Sequence, residues 1–241
     1  MHVAFLRVKV LLLLVTFFCL FTGHAQSDIK FHGIKINSLD KQQRKQGNWV
    51  FFNSLGLPVM SCVYKDDTCN SPIVFYEHGD TAFIRLPRTD SIEPFILYAG
   101  KKQYFGNFIY TTDTTIRTIL EQDPTIDNTV INKAVKYKNI VVEPVFYFAQ
   151  KKWVDFVSAG FTSSNMNFNK PINVVLSISS AGLVTKVDFP PDKNNLTPDE
   201  ETELRWIYSR AQRWQPYFTG NRVRASKILV SNHSTLSITS Y

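Results

Sequence analysis

Along most of the chain, apolar residues occur in short runs or alternate with polar ones, and Gly, Pro, Asn and Asp interrupt them at short intervals. From Asn48 to Thr112 this pattern predicts strands and turns, with "NWVFFNSLGLPVMSCVY", "SPIVFYEHGDTAFIRLP" and "PFILYAGKKQYFGNFIY" each placing two apolar runs around a Gly-bearing turn. The stretch "TTIRTILEQDPTIDNTVINKAVKYK" fits either element: its β-branched residues favour strand, while Ile116, Ile119 and Leu120 suit a short helix. "NIVVEPVFYFAQKKW" returns to a strand pattern, which Pro144 restricts to an edge or divides in two. A Ser/Asn/Gly-rich stretch, "SAGFTSSNMNFNK", then predicts a linker.

Beyond it, "PINVVLSISSAGLVTKVDFP" predicts a hairpin, with Val174, Leu176 and Ile178 on one face before the Ser180-Ala181-Gly182 turn. "NNLTPDEETELRWIYSRAQRW" predicts a helix with a defined start. Thr197 caps it, Pro198 takes the first position, where no donor is missed, and Glu200 completes a Thr-x-x-Glu box. Leu204, Ile207, Tyr208, Ala211 and Trp214 form the apolar stripe, and Trp214 is expected to plug the core. Pro216 stops the helix, and Gly220 turns the chain into the basic strand "RVRASKILV".

The first residues carry an address. Arg7 and Lys9 precede an apolar run from Val10 to Phe21, followed by Gly23-His24-Ala25, so a signal peptide cleaved after Ala25 is expected and Cys19 leaves with it. A run of about a dozen apolar residues is shorter than the roughly 20 a spanning helix needs. Export would place Cys62 and Cys69, either side of a turn at Lys65-Asp66, in an oxidising compartment, where a cross-strand disulfide is expected. Closing so short a loop contributes roughly 2 to 3 kcal/mol in the chain-entropy account.

Composition, 44% hydrophobic and 20% charged over 241 residues, is that of a globular chain. The formal charge of +7 falls to +5 once Arg7 and Lys9 are removed, and the remaining basic residues are dispersed. No Arg-rich arm or nucleic-acid motif organises them, so no nucleic-acid partner is expected. His32, His78 and His233 stand outside any paired-ligand spacing, and the chain has no Gly-x-Ser-x-Gly elbow, phosphate loop or dinucleotide fingerprint. The neighbouring acids of "YKDDTC" and "EQDPTID" read as turn residues. No catalytic residue, metal or cofactor is therefore expected.

Two resemblances follow. "W-x-F-F-x-x-x-G" and "F-Y-x-x-G-D" resemble MORN-like hairpin repeats. Over about Pro171 to Asn232, "VVLSISSAGLVTKV", Trp214-Gln215-Pro216, Gly220-Asn221-Arg222-Val223 and "KILV" resemble the C-terminal domain of TonB-type energy transducers, in a divergent, exported form. The chain lacks that family's long Pro-rich spacer, and Ser231 to Tyr241 extends past its usual end.

That resemblance implies a small antiparallel sheet braced by one main helix, whose edge strand takes up a partner's peptide by main-chain pairing. Arg224 to Val230 is then the pairing strand, with Arg222, Arg224 and Lys227 selecting an acidic or polar peptide. The expected fold is α+β: a signal peptide (1–25), a β-rich hairpin domain (26–157), a linker (158–170) and a TonB C-terminal-like domain (171–241). The expected function is a noncatalytic, exported protein of the periplasm or outer membrane that binds an envelope protein or peptide. The readings it competes with are a secreted hydrolase with a site built across distant strands and a purely structural envelope protein.

Overall fold

A computed structural model describes residues 29–111, 116–120, 128–146, 150–164, 171–212, 214–219 and 222–231. The expected leader, Cys19, the cleavage point, His233 and the tail from residue 232 onward lie outside the described residues.

The protein is α+β, rich in antiparallel strands, with three helices among the described residues. A short hairpin, β1 (Ile29–Phe31) and β2 (Ile34–Ile36), turns at His32-Gly33, both with positive φ (49° and 79°). The described residues before Ile36 belong to a unit separate from the one that begins at Ile36.

In that second unit the segment 38–120 folds into a nine-stranded antiparallel sheet. Its strands are β3 (Ser38–Leu39), β4 (Lys45–Phe52), β5 (Pro58–Lys65), β6 (Thr68–Cys69), β7 (Ile73–Glu77), β8 (Asp80–Arg85), β9 (Ile92–Ala99), β10 (Lys102–Tyr110) and β11 (Ile116–Leu120). They run in the order β11-β10-β9-β8-β7-β5-β4-β3, with β6 paired to β5. Tight turns make this meander possible. His78 and Gly79 (φ 54° and 91°) and Asp66 and Asp67 (51° and 65°) take the left-handed conformations that match hairpin twist. The histidine at 78 is thereby a turn residue.

The ambiguous stretch after Thr112 contains both elements: β11 extends the sheet, and α1 (Asn128–Lys138) lies over one sheet face. Tyr137 of α1 stacks on Phe83, centroids 5.2 Å apart, above a core of Phe51, Met60, Phe75, Phe95, Leu97 and Phe108. Aromatic side chains at alternate positions make that layer, as the strand period requires.

The second core is built on a three-stranded sheet, β12 (Asn173–Ile178), β13 (Val184–Asp188) and β16 (Ser226–Ser231), in the order β13-β12-β16. The helix α3 (Pro198–Ser209) packs on it through Leu204 and Tyr208. Both bonds of its capping box form: the Glu200 N–H donates to Thr197 Oγ1 (3.3 Å) and the Thr197 N–H to Glu200 Oε2 (2.7 Å). Two short strands, β14 (Tyr217–Thr219) and β15 (Arg222–Arg224), pair with each other, and Phe218 enters the first core.

Two helices differ from the sequence expectation. Helix α3 ends at Ser209 with Arg210 as its C-cap, so Ala211 and Trp214 lie beyond it and Pro216 is not what stops it; the Trp214 N–H is bonded to the Gly182 carbonyl instead of continuing the helix. Helix α2 (Gln150–Ser164) occupies the end of the strand-like "FYFAQKKW" stretch and continues through 158–164, where a linker was expected. Trp153 and Val157 are buried in the second core at helical spacing, with Phe156 and Phe161 packed against it. This apolar stripe outweighs the Ser and Gly content of the segment. The second core therefore rests on two helices and reaches upstream of Pro171. Among the described residues no helix is long and apolar enough to cross a membrane.

Candidate functional site

Trp214 organises the second core. It is 4% exposed, with ring centroids 5.3 Å from Phe146 and 5.1 Å from Trp153. Its backbone N–H donates to the Gly182 carbonyl (3.0 Å), which draws the turn of the β12–β13 hairpin against the Trp-x-Pro segment. Only glycine fits there: φ is +81°, and a Cβ at 182 would sit 2.0 Å from the Trp214 carbonyl oxygen. This contact fixes the chain on both sides of Trp214, and with it two glutamines.

Gln212 lies along the outer side of β13. The Val184 N–H donates to Gln212 Oε1 (3.2 Å), and Gln212 Nε2 donates back to the Val184 carbonyl (3.4 Å). Farther along that edge, Arg205 Nη1 donates to the Val187 carbonyl. Gln215 does the same at β4: it accepts from the Phe52 N–H (2.5 Å) and donates to the Phe52 carbonyl and to the Glu143 carbonyl (2.9 Å each). Asn37 closes the neighbouring position of β4 through Val50, accepting at 2.8 Å and donating at 3.0 Å. An amide side chain carries one donor and one acceptor at the spacing of a strand's own groups, so each clamp substitutes for a missing neighbour strand.

Asn194 makes the fourth clamp and also reveals which way β16 faces. The Asn173 N–H donates to Asn194 Oδ1, and Asn194 Nδ2 donates to the Asn173 carbonyl, both at 2.8 Å. Asn173 thus turns both backbone groups away from β16, where it is opposite Ser231. Antiparallel ladders alternate hydrogen-bonded and non-bonded pairs. Val230, Ile228 and Ser226, opposite Val174, Leu176 and Ile178, therefore bond to β12. Lys227, Leu229 and Ser231 direct their N–H and C=O groups outward.

Among the described residues no strand, amide or guanidinium closes that outer edge. Beneath it, Ile228 and Val230 are fully buried and hold the strand to the core. An edge of this kind can take an extended peptide by main-chain pairing.

The three basic residues expected at the site are all exposed, but they do not share one strand. Arg222 and Arg224 are on one face of β15, whose Val223 packs against the first core, while Lys227 is on β16. None of the three forms an ion pair among the described residues.

Cys62 and Cys69 share the inner face near the β5–β6 turn and are free thiols. The adjacent Cys62 thiol lowers the Cys69 thiol to about 6 against the opposing effect of burial, with Ser71 helping. The Cys69 thiol, followed by burial, raises Cys62.

A charged cluster at one end of the first core was not anticipated from sequence. Arg85 (1% exposed) binds Glu93 through Nε at 2.9 Å and through Nη2, the Tyr110 hydroxyl donates to the same carboxylate, and Lys138 Nζ lies 3.2 Å from it. Burial works to raise the Glu93 carboxyl, but Arg85, Tyr110 and Lys138 together bring it below its ordinary value. Burial, with the Arg85 charge beside it, lowers the Lys138 ammonium. The available signal was an arginine at an inward position of "TAFIRLP".

Between the β4–β5 turn and residues 140–145 runs an apolar groove of about 430 Å³, lined by Phe52, Val59, Ile140 and Val145 among others. Among the described residues no group of three or more His, Cys, Asp or Glu converges as metal ligands would. Comparison of the chain with family models, with curated proteins and with solved structures finds no match.

Proposed function

We propose that the protein is a noncatalytic binding module that takes an extended segment of a partner protein onto the outer edge of β16. One observation carries this reading. The fold closes β13 with Gln212 and Arg205 and closes β4 with Asn37 and Gln215, yet leaves Lys227, Leu229 and Ser231 with outward backbone groups. Exposed strand edges invite unwanted pairing and are usually blocked, so an edge with no partner among the described residues, beside blocked ones, is the place for a ligand.

Affinity comes from main-chain bonds. Lys227 favours an acidic or polar side chain on the incoming strand, and Arg222 and Arg224 add a positive field from the adjacent hairpin. The TonB C-terminal-like resemblance of residues 171–232 and the expected leader fit an exported protein whose partner belongs to the cell envelope. In that compartment the Cys62–Cys69 pair closes as a disulfide. Non-reducing mass spectrometry of the exported protein checks the bridge, and two alkylatable thiols would refute it.

The binding mode is tested by selecting short peptides from a displayed library against the full chain and mapping them by hydrogen exchange. Binders are expected to slow exchange at the amides of Lys227, Leu229 and Ser231. Protection confined to other segments would sink the assignment.

A further inference from the structure

The nine-stranded sheet has a second face, which no helix covers among the described residues and which is separate from the β16 edge. Its registers align Ser61 with Val74, Val74 with Ile84, Ile84 with Ile96 and Ile96 with Phe105. Their chain neighbours Met60, Phe75, Phe83 and Leu97 are buried in the first core, so alternation puts this row on the opposite face. The row is apolar apart from Ser61, whose hydroxyl bonds the Tyr76 hydroxyl at 2.8 Å. Around it Val63 (46%), Ile92 (44%), Phe105 (37%) and Ile119 (36%) are the most exposed apolar side chains.

Charge is absent from the middle of this face. The same alternation gives it no acidic residue between β5 and β11, and its charged residues, Lys65 and Arg117, are exposed at the margins. Six strands spaced about 4.8 Å apart, with four alternate side chains along β9, give a footprint of roughly 500 Å². That is at the upper end of the apolar patches monomers expose.

We infer that this face is the interface of a homodimer, with a second copy of the chain packed sheet on sheet. Three features select that occupant. The side chains are mainly β-branched and flush with the sheet, which suits a second flat sheet about 10 Å away rather than insertion between lipid chains. An uncharged centre meets its own copy without desolvating any ion. The footprint falls below the roughly 800 Å² per partner of a standard interface, so association belongs to the weak, reversible class. The inference is independent of peptide capture on β16.

Sedimentation velocity of the full chain over a concentration series tests it. A reversible monomer–dimer equilibrium is expected, and Ile84→Lys, in the middle of the row, should weaken it at least about tenfold. Phe105→Lys, at a more exposed position that tolerates a charge without unfolding, should act the same way, with circular dichroism confirming the fold of each variant. A wild-type chain that stays monomeric throughout would overturn the proposal. So would a dimer indifferent to both substitutions, one abolished only by a change in β16, or a monomer that instead co-sediments with phosphatidylglycerol vesicles.

Discussion

Along β13 the outward groups of Val184 and Val187 are bonded to Gln212 and Arg205, whereas along β16 the outward groups of Lys227 and Leu229 have no such partner among the described residues. Both strands flank β12, and both bury their inward side chains on the same core. The difference is supplied by Arg205 of α3 and by Gln212 in the chain after it, which the contact of Gly182 with Trp214 holds beside β13. One edge of a sheet can thus be finished by side chains while the other has no such partner among the described residues. Side chains from a neighbouring helix and loop make that difference.

The largest disturbance of this asymmetry should come from Gly182→Ala. A Cβ at φ +81° and 2.0 Å from the Trp214 carbonyl combines backbone strain with a clash that only a shift of the loop relieves. A loss of about 2 to 5 kcal/mol is expected in denaturant unfolding. Because that shift releases Gln212, exchange at the Val184 amide should speed up as well.

Removing the clamps one at a time separates stability from blocking. Gln215 is 1% exposed and bonds three backbone groups, two of them on the buried Phe52, so Gln215→Ala should cost about 1 to 3 kcal/mol through the loss of those bonds. Gln212 is half-buried, and water can replace it, so Gln212→Ala should cost no more than about 1 kcal/mol. Its main effect should be on association: with Arg205→Ala added, the outer edge of β13 opens as well, and concentration-dependent self-association by light scattering is expected. Equal stability losses from the two glutamines would show that burial does not distinguish the clamps.

The first core supplies a contrast in pH. The Glu93 carboxyl is held below its ordinary value of 4.5, so it contributes stability that is present above that pH and lost as pH falls through the depressed value. Acid therefore leaves Arg85 and Lys138 buried beside a neutral group. Thermal unfolding should show a falling melting temperature below pH 4.5, and Glu93→Gln should flatten that limb while lowering stability at neutral pH. The small sheet has no such buried ion pair among the described residues, so exchange at β12 amides should respond less to the same acidification.

Local chemistry was legible in the sequence where neighbours determine it. The Thr197–Glu200 box and the 173–188 hairpin depend on residues close in the chain, whereas the helix expected to run to Pro216 ends at Ser209 and Trp214 is buried against the distant Phe146 and Trp153. Helix α2 was obscured because "FYFAQKKW" alternates like a strand and "SAGFTSSN" has a loop's composition, while its apolar stripe, Trp153 to Phe161, spans both. The clamps were beyond reach for a different reason. Gln215 meets Phe52 across 163 positions, and an amide in a loop has no pattern that announces which backbone it will serve. Arg222, Arg224 and Lys227 were grouped by proximity in sequence, but a turn divides them between two sheets.

The open edge is tested most directly by peptide affinity of the full chain against Leu229→Pro. Proline at 229 deletes one outward donor and places a ring on the edge, while the bonds of Ile228 and Val230 to β12 remain. Peptides selected on the wild-type chain should bind the variant at least about tenfold more weakly, about 1.4 kcal/mol, with the small sheet still folded. Undiminished binding to a folded Leu229→Pro protein would contradict the claim that β16 receives the partner.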